Sequence, residues 1–135
     1  MCLITYTKKI QRAYGNKICY KVLVADEEGN LITPYTRTPV PEDVISGEKL
    51  FQAKGERSVH EYTRTKSVSG GFIHTFVVKS DALEMADRWR DSHVFKCVIP
   101  HGRHFYHGTD ELDNSSFASK VIKFVEELDE TKYNY

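Results

Sequence analysis

The sequence predicts an α+β domain, a mixed or mainly antiparallel sheet with one well-defined amphipathic helix packed on a face of it. Three observations lead there. Residues 3–7, 18–25, 72–78 and 94–99 are strand-length runs of β-branched, aromatic and aliphatic side chains. Residues 81–90 place apolar side chains at helical spacing and charges on the remaining positions. The chain, 135 residues and 40% hydrophobic, has the size and composition of one globular domain with one core. Residues 1–128 are read as that domain and 129–135 as a polar tail that frays.

Taken in order, residues 3–7 and 18–25 flank a polar stretch containing Gly15, which reads as a hairpin. Residues 26–30, Asp-Glu-Glu-Gly-Asn, make a turn, and Leu31-Ile32 leads into Thr33-Pro34-Tyr35. Residues 33–69 are the least regular part, with three prolines and two glycines and only short apolar runs near 49–53 and 58–65. Loops of this length in small domains often bind ligands, and just as often vary without function.

Gly70-Gly71 supply backbone freedom before the next strand. There Phe72, His74, Phe76 and Val78 share one face and Ile73, Thr75 and Val77 the other, both mainly apolar, which marks a central strand. Ser80 reads as the N-cap of the helix and Asp81 as its first-turn acid, although Glu84 stands one place beyond the position that completes a capping box. Ala82, Met85, Ala86 and Trp89 form its apolar stripe. A buried strand at 94–99 ends at the turn of Pro100 and Gly102, an extended run follows to Gly108, and 109–116 is a polar loop. Residues 117–128 fit a helix face (Phe117, Val121, Phe124, Val125, Leu128) about as well as a strand face (Val121, Lys123, Val125).

Composition bounds the function classes. With 19 basic and 19 acidic residues the formal charge is zero, so the basic footprint that nucleic-acid binding relies on is missing from the totals. The chain has no apolar run of membrane-spanning length and no signal-peptide pattern, which predicts a cytoplasmic protein with no membrane partner. Cys2, Cys19 and Cys97 are odd in number and lack a CxxC pair, which predicts reduced thiols.

His101, His104 and His107 form an HxxHxxH pattern. In extended backbone His104 points away from the other two, which lie about 20 Å apart at a rise near 3.3 Å per residue, so no metal site is expected. With Arg103 and Tyr106, His101 and His104 make a candidate ligand-binding group, in which aromatic Phe105-Tyr106 could stack on a base. His74, in the middle of a central strand, needs a partner whether it serves the core or a site. Cys2 would become an N-terminal nucleophile if Met1 were removed, but Leu3-Ile4 reads as plain strand; Cys97 reads as a small buried apolar residue.

Tyr20-Lys21-Val22, residues 31–35, residues 71–76 with Ala82, residues 94–102 and Ala118-Ser119-Lys120-Val121-Ile122 resemble a small family of uncharacterised bacterial and phage proteins. The resemblance implies an α+β domain whose final segment is a strand, and brings no activity with it. More distantly, the order of elements is similar to that of ADP-ribosyltransferases. Lys21 stands nearest their arginine, Ile73-His74-Thr75 takes the place of Ser-Thr-Ser, and Glu126-Glu127 lies in the region of the glutamate motif without Glu-x-Glu spacing. His107-Gly108-Thr109 repeats the His-Gly-Thr of the poly-ADP-ribose branch, but late in the chain. That likeness implies His74, Thr75, Lys21, Glu126 and Glu127 as catalytic candidates with NAD as cofactor. The leading expectation is a non-catalytic binding or accessory protein of phage or mobile-element type, without a cofactor and with a protein or nucleotide partner. The alternative is a divergent or degenerate NAD-using enzyme.

Overall fold

The computed structural model describes residues 3–5, 9–62 and 64–128. In chain order the elements are β1 (Leu3–Thr5), β2 (Gln11–Arg12), β3 (Lys17–Ala25), β4 (Leu31–Ile32), α1 (Glu42–Ile45), β5 (Phe51–Gln52), β6 (Val59–Glu61), β7 (Lys66–Val68), β8 (Ile73–Phe76), α2 (Lys79–Ala86), β9 (Ser92–Ile99), β10 (His104–Thr109), β11 (Ser115–Ser119) and β12 (Val121–Glu127). Strands hold 45% of the described residues and helices 10%, so the molecule is a sheet protein and not an α+β domain. The prediction failed because the segment between 33 and 69, expected to be irregular, builds β5, β6 and β7, and because α2 is a short helix on a large sheet.

Every strand pairing is antiparallel, along the order β5-β12-β9-β3-β8-β11-β10-β1-β7-β6, with β2 added to β10 and β4 to β3. β3 and β9 form the longest ladder, pairing continuously from Lys17 with Ile99 to Val24 with Ser92. β8 lies inside the sheet between β3 and β11, as its two apolar faces require. β1 does not form a hairpin with β3; it runs between β7 and β10, reaching them across most of the chain. At three residues it is too short for local pairing to decide its neighbours, and Gly108 allows the approach: a Cβ there would collide with the Ile4 carbonyl.

Alternation along the strands sorts the core into layers. Cys19, Leu23, Phe95, Cys97, Ile99, Phe117, Ile122 and Phe124 fill the inner face of the curl, where Phe124 meets Phe95 edge-on at 5.3 Å. Val22, Phe76 and Val94 face outward and are covered by Ala82, Met85 and Ala86 of α2. Here too the structure corrects the expectation. Val78, not Ser80, precedes the helix, with no side-chain cap, and the helix ends at Ala86 instead of continuing to residue 90. Arg88 and Trp89 then donate to carbonyls three residues back, Met85 at 3.1 Å and Ala86 at 3.2 Å. This tighter turn swings Trp89 off the stripe. Its ring is half-buried and meets Tyr35 edge-on at 5.6 Å.

Several expectations hold. Asp26 Oδ1 accepts from the N–H groups of Glu28 and Asn30 at 2.9 Å in the first turn, and Asp110 repeats the device for Leu112 and Asn114 between β10 and β11. Residues 117–127 are strand, broken only at Lys120, as the family resemblance implies. Among the described residues no helix is long and apolar enough to cross a membrane. Cys2 and residues 129–135 lie outside the described residues.

Candidate functional site

β3 is paired on one edge with β9 throughout, but its other edge changes partner. Tyr20 pairs with Phe76 of β8, and Val24 and Ala25 pair with β4. Between them, at Lys21, Val22 and Leu23, neither strand is alongside. The sheet opens there into a wedge, and in the wedge lies a cavity of about 340 Å³. That is at the small end of the range for sites that hold small organic molecules.

The walls come from four places. β3 contributes Lys21 and Val22, β8 contributes Ile73, His74 and Phe76, the segment after β4 contributes Thr33 to Thr36 and Thr38, and residues 51–54 complete one side. Phe72 and Met85 close the remainder. Thr33 and Thr36 share a hydroxyl hydrogen bond of 2.7 Å, Thr36 and Thr38 another of 2.9 Å, and the Thr38 N–H donates to Thr33 Oγ1 at 2.9 Å. The loop over the cleft is thus held by its own side chains. At the approach to β8, Gly71 has φ +74°, and a Cβ there would stand 2.5 Å from the Glu56 carbonyl, so only glycine lets the two chain segments meet.

Lys21 is the unusual residue. Alternation along β3 puts it on the inner face between Cys19 and Leu23, where an apolar side chain is expected. Its ammonium donates to the His74 carbonyl at 2.9 Å, filling part of the gap between the two strands. Among the described residues it has no carboxylate partner. Burial pushes its pKa down to about 8, with the neighbouring Cys97 and Cys19 opposing the shift. Among the described residues no aspartate or glutamate lines the cavity, whereas Lys54 lines it as well. The cleft therefore presents positive charge, uncompensated, over a mainly apolar wall.

His74 is neutral. Its Nε2–H donates to the Ser69 carbonyl at 3.1 Å, which leaves Nδ1 as a buried lone pair without a partner. Burial drives its pKa down to about 4, the Ser69 bond resists, and the Lys21 charge adds to the depression. Thr75 turns to the inner face beside the Cys19 thiol and is not on the cleft wall. Cys19 and Cys97 stand opposite each other on β3 and β9, both buried and free. Burial raises both thiols, Cys19 to about 12.

The other sequence candidates do not join this site. Glu126 and Glu127 are exposed on β12, and Glu127 pairs with His93 at 2.7 Å. Neither glutamate lines the cleft. Among the described residues the acidic partner that an NAD-using site needs is not in the cleft. His101, Arg103 and His104 are exposed around the turn before β10, where His101 Nδ1 accepts from the Gly15 N–H at 2.7 Å. Phe105 and Tyr106 are buried in the sheet, with no ring face open for stacking. Tyr106 supports the cleft from behind, meeting Phe72 edge-on at 5.7 Å. His107 is held by Ser115 at 2.9 Å, and among the described residues no three His, Cys, Asp or Glu side chains converge as a metal site would require.

Sequence reasoning missed Tyr35, Lys54, Met85 and the three threonines. One signal for them was present, the long irregular segment after residue 33. The other was a lysine at an inward position of an otherwise apolar strand. Compared with protein-family models, curated proteins and solved structures, the chain matches none.

Proposed function

We propose that this is a non-catalytic binding protein whose cleft takes a small organic anion with an apolar or aromatic body. The observation that carries the reading is Lys21, a partly buried ammonium on a cavity wall with no counter-charge among the described residues. Holding such a charge costs several kcal/mol, which an anionic ligand offsets by supplying the missing partner. Val22, Phe51, Phe72, Ile73 and Phe76 supply the surface for its apolar body. The NAD-using reading shares the cleft, since Lys21 and His74 both line it, but lacks its acidic residues there.

Benzoate, phenyl phosphate, adenosine monophosphate and NAD, with benzyl alcohol as the uncharged control, should be tested by thermal midpoint. Trp89 fluorescence follows the same titration, because Trp89 touches the cleft residue Tyr35. A ligand bound to the native state alone at a hundred times its Kd adds about 2.7 kcal/mol, a shift of several degrees. Benzoate or phenyl phosphate should raise the midpoint in the wild type and not in Lys21→Met. If none of the anions does so, or if the shift survives in Lys21→Met, the reading falls. A response to NAD alone, with release of nicotinamide, would move the assignment to the transferase class.

A further inference from the structure

Resting on the anion-binding reading, we propose that Lys21 is a covalent attachment point, its ε-amine condensing with the carbonyl of an oxo acid held in the cleft to form an imine. Three geometric facts support this. Lys21 lines the cavity, and its ammonium reaches the carbonyl of His74, another lining residue. A single backbone carbonyl holds it, and that bond can be surrendered without uncovering a charge. Lys54 lines the same cavity and can pair with the ligand carboxylate while Lys21 attacks the carbonyl.

The surrounding groups fit the chemistry. Cys19 from the same strand and Cys97 from β9 are the nearest competing nucleophiles, and both remain protonated thiols. His74 on β8 is neutral, and Lys54 shares the cavity. With a pKa near 8, about one Lys21 in ten is free amine at pH 7, against fewer than one in a thousand for an ordinary exposed lysine.

The step balances without a further reactant. The ammonium gives up one proton to water, and the nitrogen lone pair attacks the carbonyl carbon, whose oxygen takes up a proton. The carbinolamine then loses water as the C–O bond breaks and C=N forms. The protonated imine keeps one positive charge, so ion pairing with the carboxylate survives the reaction.

Phenylpyruvate and its alcohol counterpart 3-phenyllactate separate the two claims. Both carry the anion and the ring, but only the first has a ketone. With sodium cyanoborohydride present, phenylpyruvate should add one ligand less one oxygen atom to the intact wild-type protein. Peptide mapping should place at least tenfold more adduct on Lys21 than on any other lysine, with labelling rising as pH passes 8. Phenyllactate should raise the thermal midpoint and suppress that labelling. Adduct spread evenly over the lysines, or absent from Lys21 while phenyllactate still raises the midpoint, would overturn the imine and leave the binding reading standing. If neither compound binds, both fall.

Discussion

Lys21 and His74 give the cleft two separate limbs in a stability–pH profile, both rising with pH. The folded pKa of Lys21, about 8, lies below the ordinary 10.5, so between those values the unfolded chain binds the extra proton. Stability should therefore rise through that window by up to about 3 kcal/mol. His74 falls from 6.5 to about 4, so stability should drop by up to about 3 kcal/mol as the pH is lowered through that range. Urea midpoints of wild type and single variants isolate each limb. Lys21→Met should lose the alkaline limb and, at pH 7, match or exceed the wild type by up to about 2 kcal/mol, because the removed desolvation cost outweighs an unpaired His74 carbonyl. A variant that is destabilised at pH 7 and keeps the alkaline slope would mean that Lys21 serves the fold. A stabilising change that abolishes binding would mark a residue kept for function.

At the scale of elements, the helix teaches more than the strands do. The strands at 18–25, 72–78 and 94–99 were legible because alternation is a local property, repeated over several residues. The end of α2 was not, because residues 87–89 form tighter turns that no side chain in the apolar pattern announces. Trp89 consequently packs at the lip of the cleft, on Tyr35, whose hydroxyl reaches the Met85 sulfur at 3.9 Å. Trp89→Ala should then cost about 1–2 kcal/mol in urea unfolding, less than the 3–5 kcal/mol of a fully buried tryptophan. It should also weaken ligand binding. A loss above about 3 kcal/mol with unchanged binding would return Trp89 to the core. The β-bulge between Phe124 and Glu126 was equally illegible, and it breaks the simple alternation that the strand reading of Val121, Lys123 and Val125 assumed.

For the whole molecule, the short link at Lys120 decides the shape. Ser119 and Val121 can be no more than about 7 Å apart, yet their strands stand four places apart in the sheet, about 19 Å if it were flat. The sheet must roll to bring β11 and β12 together. Nothing in strand propensity reports such a closure, which is why composition and periodicity found the long strands β3 and β9 and the central β8 and missed the architecture. The cleft was hidden for the same reason: Lys21, His74 and Thr33 meet only because β3 changes partner partway along its edge.

That change of partner divides the ladder into two blocks, β5-β12-β9-β3 on one side and β8-β11-β10-β1-β7-β6 on the other, tied directly between β3 and β8 by Tyr20 with Phe76 and by the lysine bond. The division is a fault line for partial unfolding. Each block keeps its own backbone hydrogen bonds when they part, so amide exchange should show two protection levels. Amides of β8 that face β3 should exchange through openings costing less free energy than those in the middle of the β3 and β9 ladder. Ligand in the cleft should slow the former selectively. Equal protection across the line, with and without ligand, would show a sheet that opens only as one unit.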